Sequence, residues 1–120
     1  MQKNKPIERG DIYWVDLNPI RGSEINKLRP CVVITANPLN QARHTIVVIP
    51  LSSSARARPP IVIAVNCLEK TATAVCDQIR AVDKSRLVKY ADRLHIKDIT
   101  AIEEGLRQVL GLGENYSISA

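Results

Sequence analysis

The sequence predicts a mainly β domain with one C-terminal helix: a small, curved, largely antiparallel sheet or barrel with the helix packed on it. Three observations carry this. Short apolar, β-branched runs recur between turn signals from Ile12 to about Arg80. A single stretch, beginning near Ile99, repeats apolar residues at helical spacing. The 120 residues suit one domain, long enough to bury a core without disulfides or metals. Residues 1–8 are expected to be flexible and 113–120 to be a tail.

Each element has its own warrant. Gly10-Asp11 is a turn signal, and Ile12 to Leu17 mixes aromatic and β-branched residues as strands do. Asn18-Pro19 closes that strand. A polar loop leads to a second strand at Cys31–Thr35, and 36–40 breaks it with a short turn or helix. Thr45 to Leu51 is a continuous apolar run, expected to be a central strand buried on both faces. Ser52 to Ser54 ends it, and 55–60 is a second basic loop. Ile61–Val65 and Ala74–Arg80 read as strands, the latter with Asp77 and Gln78 as polar intrusions. Val82–Leu87 reads as a turn before a short last strand. In the helix, Ile99, Ile102, Leu106, Val109 and Leu110 share one face. Asp98 or Thr100 is expected to cap its start, with Glu103 completing a capping box, and Gly111 and Gly113 to end it.

Charge is distributed unevenly. The net charge is +5. Residues 1–60 hold 9 Lys/Arg and 4 Asp/Glu, whereas 61–120 hold 8 of each, so the whole excess lies in the first half. That favours a polyanionic partner such as nucleic acid, and on charge alone a generally basic, soluble surface is an equal alternative. Cys31, Cys67 and Cys76 form no CxxC pair and are odd in number; Cys31 and Cys76 lie in apolar, strand-like runs, which predicts buried thiols in a reducing compartment. His44 and His95 lack ligand-spaced partners, so neither a metal nor another cofactor is expected. No signal peptide and no run of membrane-spanning length is visible, so a cytoplasmic location without membrane contact is expected.

The stretch from Arg21 to Pro30 is a polar loop that ends at a cation where a strand begins. A residue before proline is pushed towards extended conformations, so Pro30 should hold Arg29 in line with the strand. A fixed guanidinium beside further loop cations is a sensible phosphate site. The alternative is an ordinary solvated surface loop.

At these residues the sequence resembles the MazF/PemK family of toxin endoribonucleases. The pieces run in order over roughly residues 8–112. They are Arg9-Gly10-Asp11-Ile12-Tyr13-Trp14-Val15-Asp16-Leu17-Asn18-Pro19, Gly22-Ser23-Glu24 and Arg29-Pro30 with its strand. Then come Val47 to Ser53, Cys76 to Arg80 with Val82-Asp83-Lys84, and the terminal helix. Each piece alone is weak and their combination is specific. The resemblance implies an SH3-like barrel of the PemK/CcdB type and a homodimer. It implies metal-independent cleavage of single-stranded RNA by the toxin of a type II toxin–antitoxin system. It also implies a cognate antitoxin with an acidic segment, and DNA binding by the toxin–antitoxin complex.

The resemblance makes Arg29 the catalytic arginine. It places Ser52 where relatives usually have threonine, and Glu24 where an acidic loop residue supports activity. Asp77 and Gln78 match positions that contact RNA bases in some members, and the aspartate is catalytic in PemK-type ones. Arg21, Ser23, Lys27, Ser53, Arg56 and Arg58 complete the expected RNA-binding set. The chain departs from the PemK-type pattern at Ser23, where those members have histidine, and at Val75, where they have arginine. That favours an arginine–hydroxyl mechanism. Bland readings stand beside these: Arg29 pairing with Glu24 or Asp16, Ser52 as a turn serine, Asp77 and Gln78 as a strand-holding network. Trp14 reads as core or dimer interface, with base stacking the minority reading.

The chemistry is self-consistent. RNA carries its own nucleophile, the 2′-hydroxyl, so attack on the neighbouring phosphate gives a 2′,3′-cyclic phosphate and a 5′-hydroxyl. A rigid arginine and a hydroxyl supply charge and hydrogen bonds where negative charge develops. The rivals are a gyrase-poisoning toxin on the same barrel and a non-catalytic RNA-binding barrel.

Overall fold

The computed structural model describes residues 5–18, 22 and 28–113. Among them seven strands form one strongly curved sheet, and a 15-residue helix, α2 (Ile96–Leu110), packs on its inner side. The strands are β1 (Asp11–Asp16), β2 (Leu28–Val33), β3 (Thr45–Ser52), β4 (Val62–Cys67), β5 (Lys70–Val75), β6 (Arg80–Asp83) and β7 (Leu87–Arg93). A short helix, α1 (Asn37–Ala42), joins β2 to β3. The order is β4-β5-β3-β2-β1-β7, with β6 also on β3. The mainly β fold with one C-terminal helix is as the sequence implies, and the curvature is that of a half-barrel.

The apolar run at 45–51 becomes the hub because both its faces are buried. Ile49 and Leu51 join Ile12, Val32, Ala74 and Ile102 on the helix side. Ile46 and Val48 join Tyr13, Val15, Cys31 and Val33 on the other. Two buried faces explain the unbroken apolar pattern of β3. Its partners differ along its length. Val48–Pro50 pairs with β2 on one edge. On the other edge 45–48 pairs with β6 and Leu51–Ser52 with β5.

Pro50 explains that split. The Val47 carbonyl accepts from the Ile34 N–H at 2.9 Å, so odd-numbered residues of β3 direct their backbone groups towards β2 and even-numbered ones away from it. Pro50 therefore faces the other edge, and it has no N–H to give. Opposite it the partner chain leaves the sheet as a 3₁₀ turn, Cys76–Gln78. The single strand expected at 74–80 is thus two strands around a turn, and Asp77 is carried out of the ladder into solvent.

A second departure is the hairpin between β4 and β5. Its two central residues, Leu68 and Glu69, both have positive φ, +53° and +62°. A two-residue hairpin turn of this kind normally uses Asn-Gly or similar residues. Leu-Glu gives no such signal, so β5 from Lys70 onward was not visible as a separate strand in the sequence.

The ends of the sheet path are joined by carboxylates. Asp92 of β7 accepts the Leu68 N–H at 2.7 Å, and Asp98 of α2 accepts the Asn66 N–H at 3.0 Å. Asp98 is thereby committed to the hairpin rather than to capping. The cap is His95, whose Nδ1 accepts from the Lys97 N–H at 3.1 Å, so the helix starts earlier than the expected cap positions. Thr100 instead donates its hydroxyl to the Ile96 carbonyl within the helix, at 2.9 Å. Gly111, left-handed at φ +63°, ends the helix as expected. Gly105 lets α2 close on the sheet: a Cβ there would meet the Pro60 carbonyl oxygen at 2.7 Å and the Cys76 sulfur at 2.9 Å.

The N-terminal edge is held by charge. Asp11 is fully buried and accepts from Lys5 at 2.6 Å, the Glu8 N–H at 2.9 Å and Arg93 at 2.8 Å. A buried carboxylate with two cationic partners and a backbone donor is a satisfied one. All three cysteines are free and buried. No described helix is long and apolar enough to cross a membrane.

Candidate active site

Arg29 is the second residue of β2, paired across β1 with Val15. Its placement follows from Pro30, which sits opposite Trp14 and disfavours any but an extended Arg29. β2 runs antiparallel to β3, with Cys31 opposite Pro50. Continuing that register by two residues puts Arg29 beside Ser52, the last residue of β3. Both residues, with Ser53, line one cavity of about 260 Å³. Its apolar walls include Trp14, Leu28, Leu51 and Leu68, and Lys70 also lines it. Arg29 is half-buried and makes no ion pair with Asp16; among the described residues it has no carboxylate partner.

Ser52 is 7% exposed and its oxygen is engaged. It accepts the N–H groups of Ser54 at 3.2 Å and Ala55 at 3.0 Å. Its carbonyl accepts the Thr73 hydroxyl at 3.1 Å. The turn-serine reading therefore describes part of what Ser52 does. Its hydroxyl also shares a hydrogen bond with that of Ser54 at 3.4 Å, in which either oxygen can be the donor. A serine whose lone pairs are used by fixed backbone donors is oriented as a donor.

Cys31 reports on the local electrostatics. Burial pushes its thiol up to about 12, against the pull of the Arg80 and Arg29 guanidiniums. Two guanidiniums thus act in one neighbourhood. Arg80 is in turn braced by Gln78, donating to its side-chain oxygen at 2.9 Å. That bond gives Gln78 a structural partner. Asp77 is exposed on the 3₁₀ turn. Neither Asp77 nor Gln78 lines the cavity, and neither do Arg56 and Arg58, which sit exposed in the loop after β3. Arg21, Ser23, Glu24 and Lys27 lie outside the described residues. Among the described residues no three His, Cys, Asp or Glu side chains gather as metal ligands.

Three cavity residues were missed or discounted in the sequence. Trp14 is half-buried at the cavity rather than in either core cluster. Leu68 and Lys70 reach it only through the hairpin turn that the sequence did not announce.

The family model described as "PemK-like, MazF-like toxin of type II toxin-antitoxin system" matches residues 8–110. "Endoribonuclease MazF9" of Mycobacterium tuberculosis is 30% identical over 115 residues, covering 88% of this chain and 98% of that protein. "Endoribonuclease MazF" of Staphylococcus saprophyticus is 30% identical over 111 residues, covering 88% and 92%. In fold, the chain is similar to the crystal structure of MazF from Deinococcus radiodurans, with a TM-score of 0.81 at 20% identity, covering 91% of this chain and all of that one. It is also similar to an endoribonuclease in complex with its cognate antitoxin from a mycobacterial species, with a TM-score of 0.76 at 22% identity, covering 90% and 98%.

The Ser52 geometry has a structural consequence that is separate from catalysis. Ser52→Ala strips two backbone N–H groups of their acceptor, at a cost of about 1–2 kcal/mol. The loop beyond it should open, so limited trypsin digestion should cut faster after Arg56, the Arg58-Pro59 bond being resistant to trypsin, while Ser52→Thr should leave the rate near wild type. Unchanged digestion of Ser52→Ala would mean the hydroxyl does not hold that loop.

Proposed function

Because the chain belongs to the PemK-like, MazF-like toxin family of type II toxin–antitoxin systems and is an endoribonuclease, we propose that it cuts single-stranded RNA at selected sequences without a metal ion. The observation that carries the reading is the convergence of Arg29 and Ser52 on one cavity from the ends of two adjacent strands.

In this mechanism the substrate supplies the nucleophile. The 2′-hydroxyl attacks the adjacent phosphorus and gives up its proton to water, a phosphorane forms, and the bond to the 5′-oxygen breaks as that oxygen takes a proton in return, so no proton is consumed overall. Arg29 places its planar fork where the phosphorane gains charge. Its high pKa makes charge and geometry its main contribution, with proton donation secondary. Ser52 donates its hydroxyl to a phosphate oxygen, its own oxygen being held by the Ser54 and Ala55 N–H groups. Asp77 and Gln78, away from the cavity, act in reading bases of the strand that passes them. Glu24 and the cations Arg21 and Lys27 belong to the same site through the loop that precedes Arg29, and Ser23, Ser53, Arg56 and Arg58 contact RNA around it.

The functional unit is a two-fold homodimer, and the partner is an antitoxin whose acidic segment covers the loops at 20–29 and 52–60. Charge complementarity supports this, since those loops carry most of the basic excess. Structural relatives include an endoribonuclease bound to its cognate antitoxin.

The test of catalysis is single-turnover cleavage of a long RNA in EDTA, with the ends characterised. Cut fragments should carry 2′,3′-cyclic phosphate and 5′-hydroxyl ends. Arg29→Ala should lose a factor of about 10²–10³ in rate with the melting temperature retained. Arg29→Lys should fail substantially, because a point charge does not replace the fork. Retarded but uncut RNA would make the chain a binding protein, and near-normal cleavage by Arg29→Ala would remove Arg29 from the mechanism. The partner is tested separately. A neutralising antitoxin should protect the Arg56-Ala57 bond of a sedimenting dimer from trypsin. A monomer at micromolar concentration, or undiminished cutting in the complex, would contradict that arrangement.

A further inference from the structure

We infer that the cavity beside Arg29 and Ser52 is a nucleobase subsite, and that Lys70 makes it select a base with carbonyl oxygens, uracil or guanine, at one position flanking the cut. The inference rests on the reading of the chain as an endoribonuclease of single-stranded RNA, and it adds a specificity residue to that reading.

Size is the first argument. The cavity holds about 260 Å³, below the roughly 300–1,000 Å³ of pockets that take drug-sized ligands. It suits a single ring system. Its place is the second. Arg29, Ser52 and Ser53 contribute to the same cavity, so a base seated there belongs to a nucleotide next to the phosphate those residues hold.

The walls are the third. Leu28, Leu51, Leu68 and Ala72 are apolar, and Trp14 offers an indole. Unstacked bases of single-stranded nucleic acid are held by such aromatic faces. Leu68 is there by a costly route. It sits in the left-handed region at φ +53°, followed by Glu69 at +62°, a conformation that side chains other than Gly and Asn rarely adopt. The Asp92 carboxylate holds its N–H at 2.7 Å, and its side chain packs against the helix-side core cluster. Backbone in a sparsely populated region that is pinned from β7, at the other end of the sheet order, points to a function for what it presents.

The charged lining sets the base. Lys70 and Arg29 are donors with no acceptor, and the acceptor capacity of Ser52 is used by Ser54 and Ala55. A lining whose charged groups are both donors favours the oxygens of uracil or the O6 and N7 of guanine. The exocyclic amines of cytosine and adenine would meet further donors there. Lys70 is exposed at the start of β5 and contributes to the cavity lining without being part of the core.

The experiment is cleavage of an RNA library randomised around its cut sites, in EDTA, with the new ends sequenced. Wild type should favour uracil or guanine at one flanking position. Lys70→Ala should reduce that preference about tenfold, the range expected for loss of one good base contact, with KM rising more than kcat falls. Lys70→Arg should restore it. Trp14 is the sole tryptophan, so its fluorescence should be quenched by the preferred RNA carrying a single 2′-deoxy nucleotide at the cut. An unchanged base profile in Lys70→Ala, a wild-type preference for adenine or cytosine at both flanking positions, or an unperturbed Trp14 signal would overturn the subsite. So would a Lys70→Ala variant that loses antitoxin affinity while its base profile stays intact, because the cavity would then seat the antitoxin. A wild type that cuts no RNA at all would instead sink the endoribonuclease reading on which the subsite rests.

Discussion

The structure depends on β3 and on the backbone hydrogen bonds it distributes. One edge serves β2 and the other is shared by β6 and β5. Because β3 is buried on both faces, its register is fixed by apolar packing, and a one-residue slip would exchange its two faces. That register is what brings the end of β3 to the beginning of β2. Ser52 and Arg29 are neighbours because Cys31 is paired with Pro50. Pro50 adds the second half of the design: its missing N–H ends one partner and starts another, and the intervening turn carries Asp77 and Gln78.

The proposed catalytic pair and the loop cations are therefore placed on different parts of the fold. Arg29 and Ser52 stand on strand ends held by ladder bonds, by Pro30 and by the Ser54 and Ala55 N–H groups. Electrostatic stabilisation of a transition state needs such preorganisation, since a donor that must reorient first spends its advantage. The cations Arg56 and Arg58 lie on an exposed loop after β3. Attraction of a polyanion suits such exposed cations, because phosphate attraction is long-ranged and non-directional compared with a fork aimed at one phosphorus.

The amino-acid sequence made the class of fold, the amphipathic helix with its Gly111 end, the central strand at 45–51 and the cation before Pro30 readable. Each rests on a local pattern with a strong physical cause: periodicity, a left-handed glycine, two buried faces, a pre-proline residue. It concealed the break at Cys76–Gln78, because the cause is a proline on a different strand. It concealed the hairpin at Leu68-Glu69, because the turn takes a conformation its residues disfavour and is held by Asp92 from β7. It also misassigned the helix cap, because Asp98 is drawn to the Asn66 N–H. These are all tertiary interactions, and the cavity walls at Leu68 and Lys70 were hidden with them. The pairing of Arg29 with Ser52 was legible only through the family motif, since their proximity is a matter of register.

The central claim is that the scissile phosphate lies between Arg29 and Ser52. It is tested most directly by the structure of the protein bound to an RNA that carries a single 2′-deoxy nucleotide at the mapped cut site. The account predicts that phosphate within hydrogen-bond distance of the Arg29 guanidinium and the Ser52 hydroxyl, with the 5′-oxygen in line with the missing 2′-hydroxyl. A scissile phosphate held elsewhere, with Arg29 facing solvent, would contradict it.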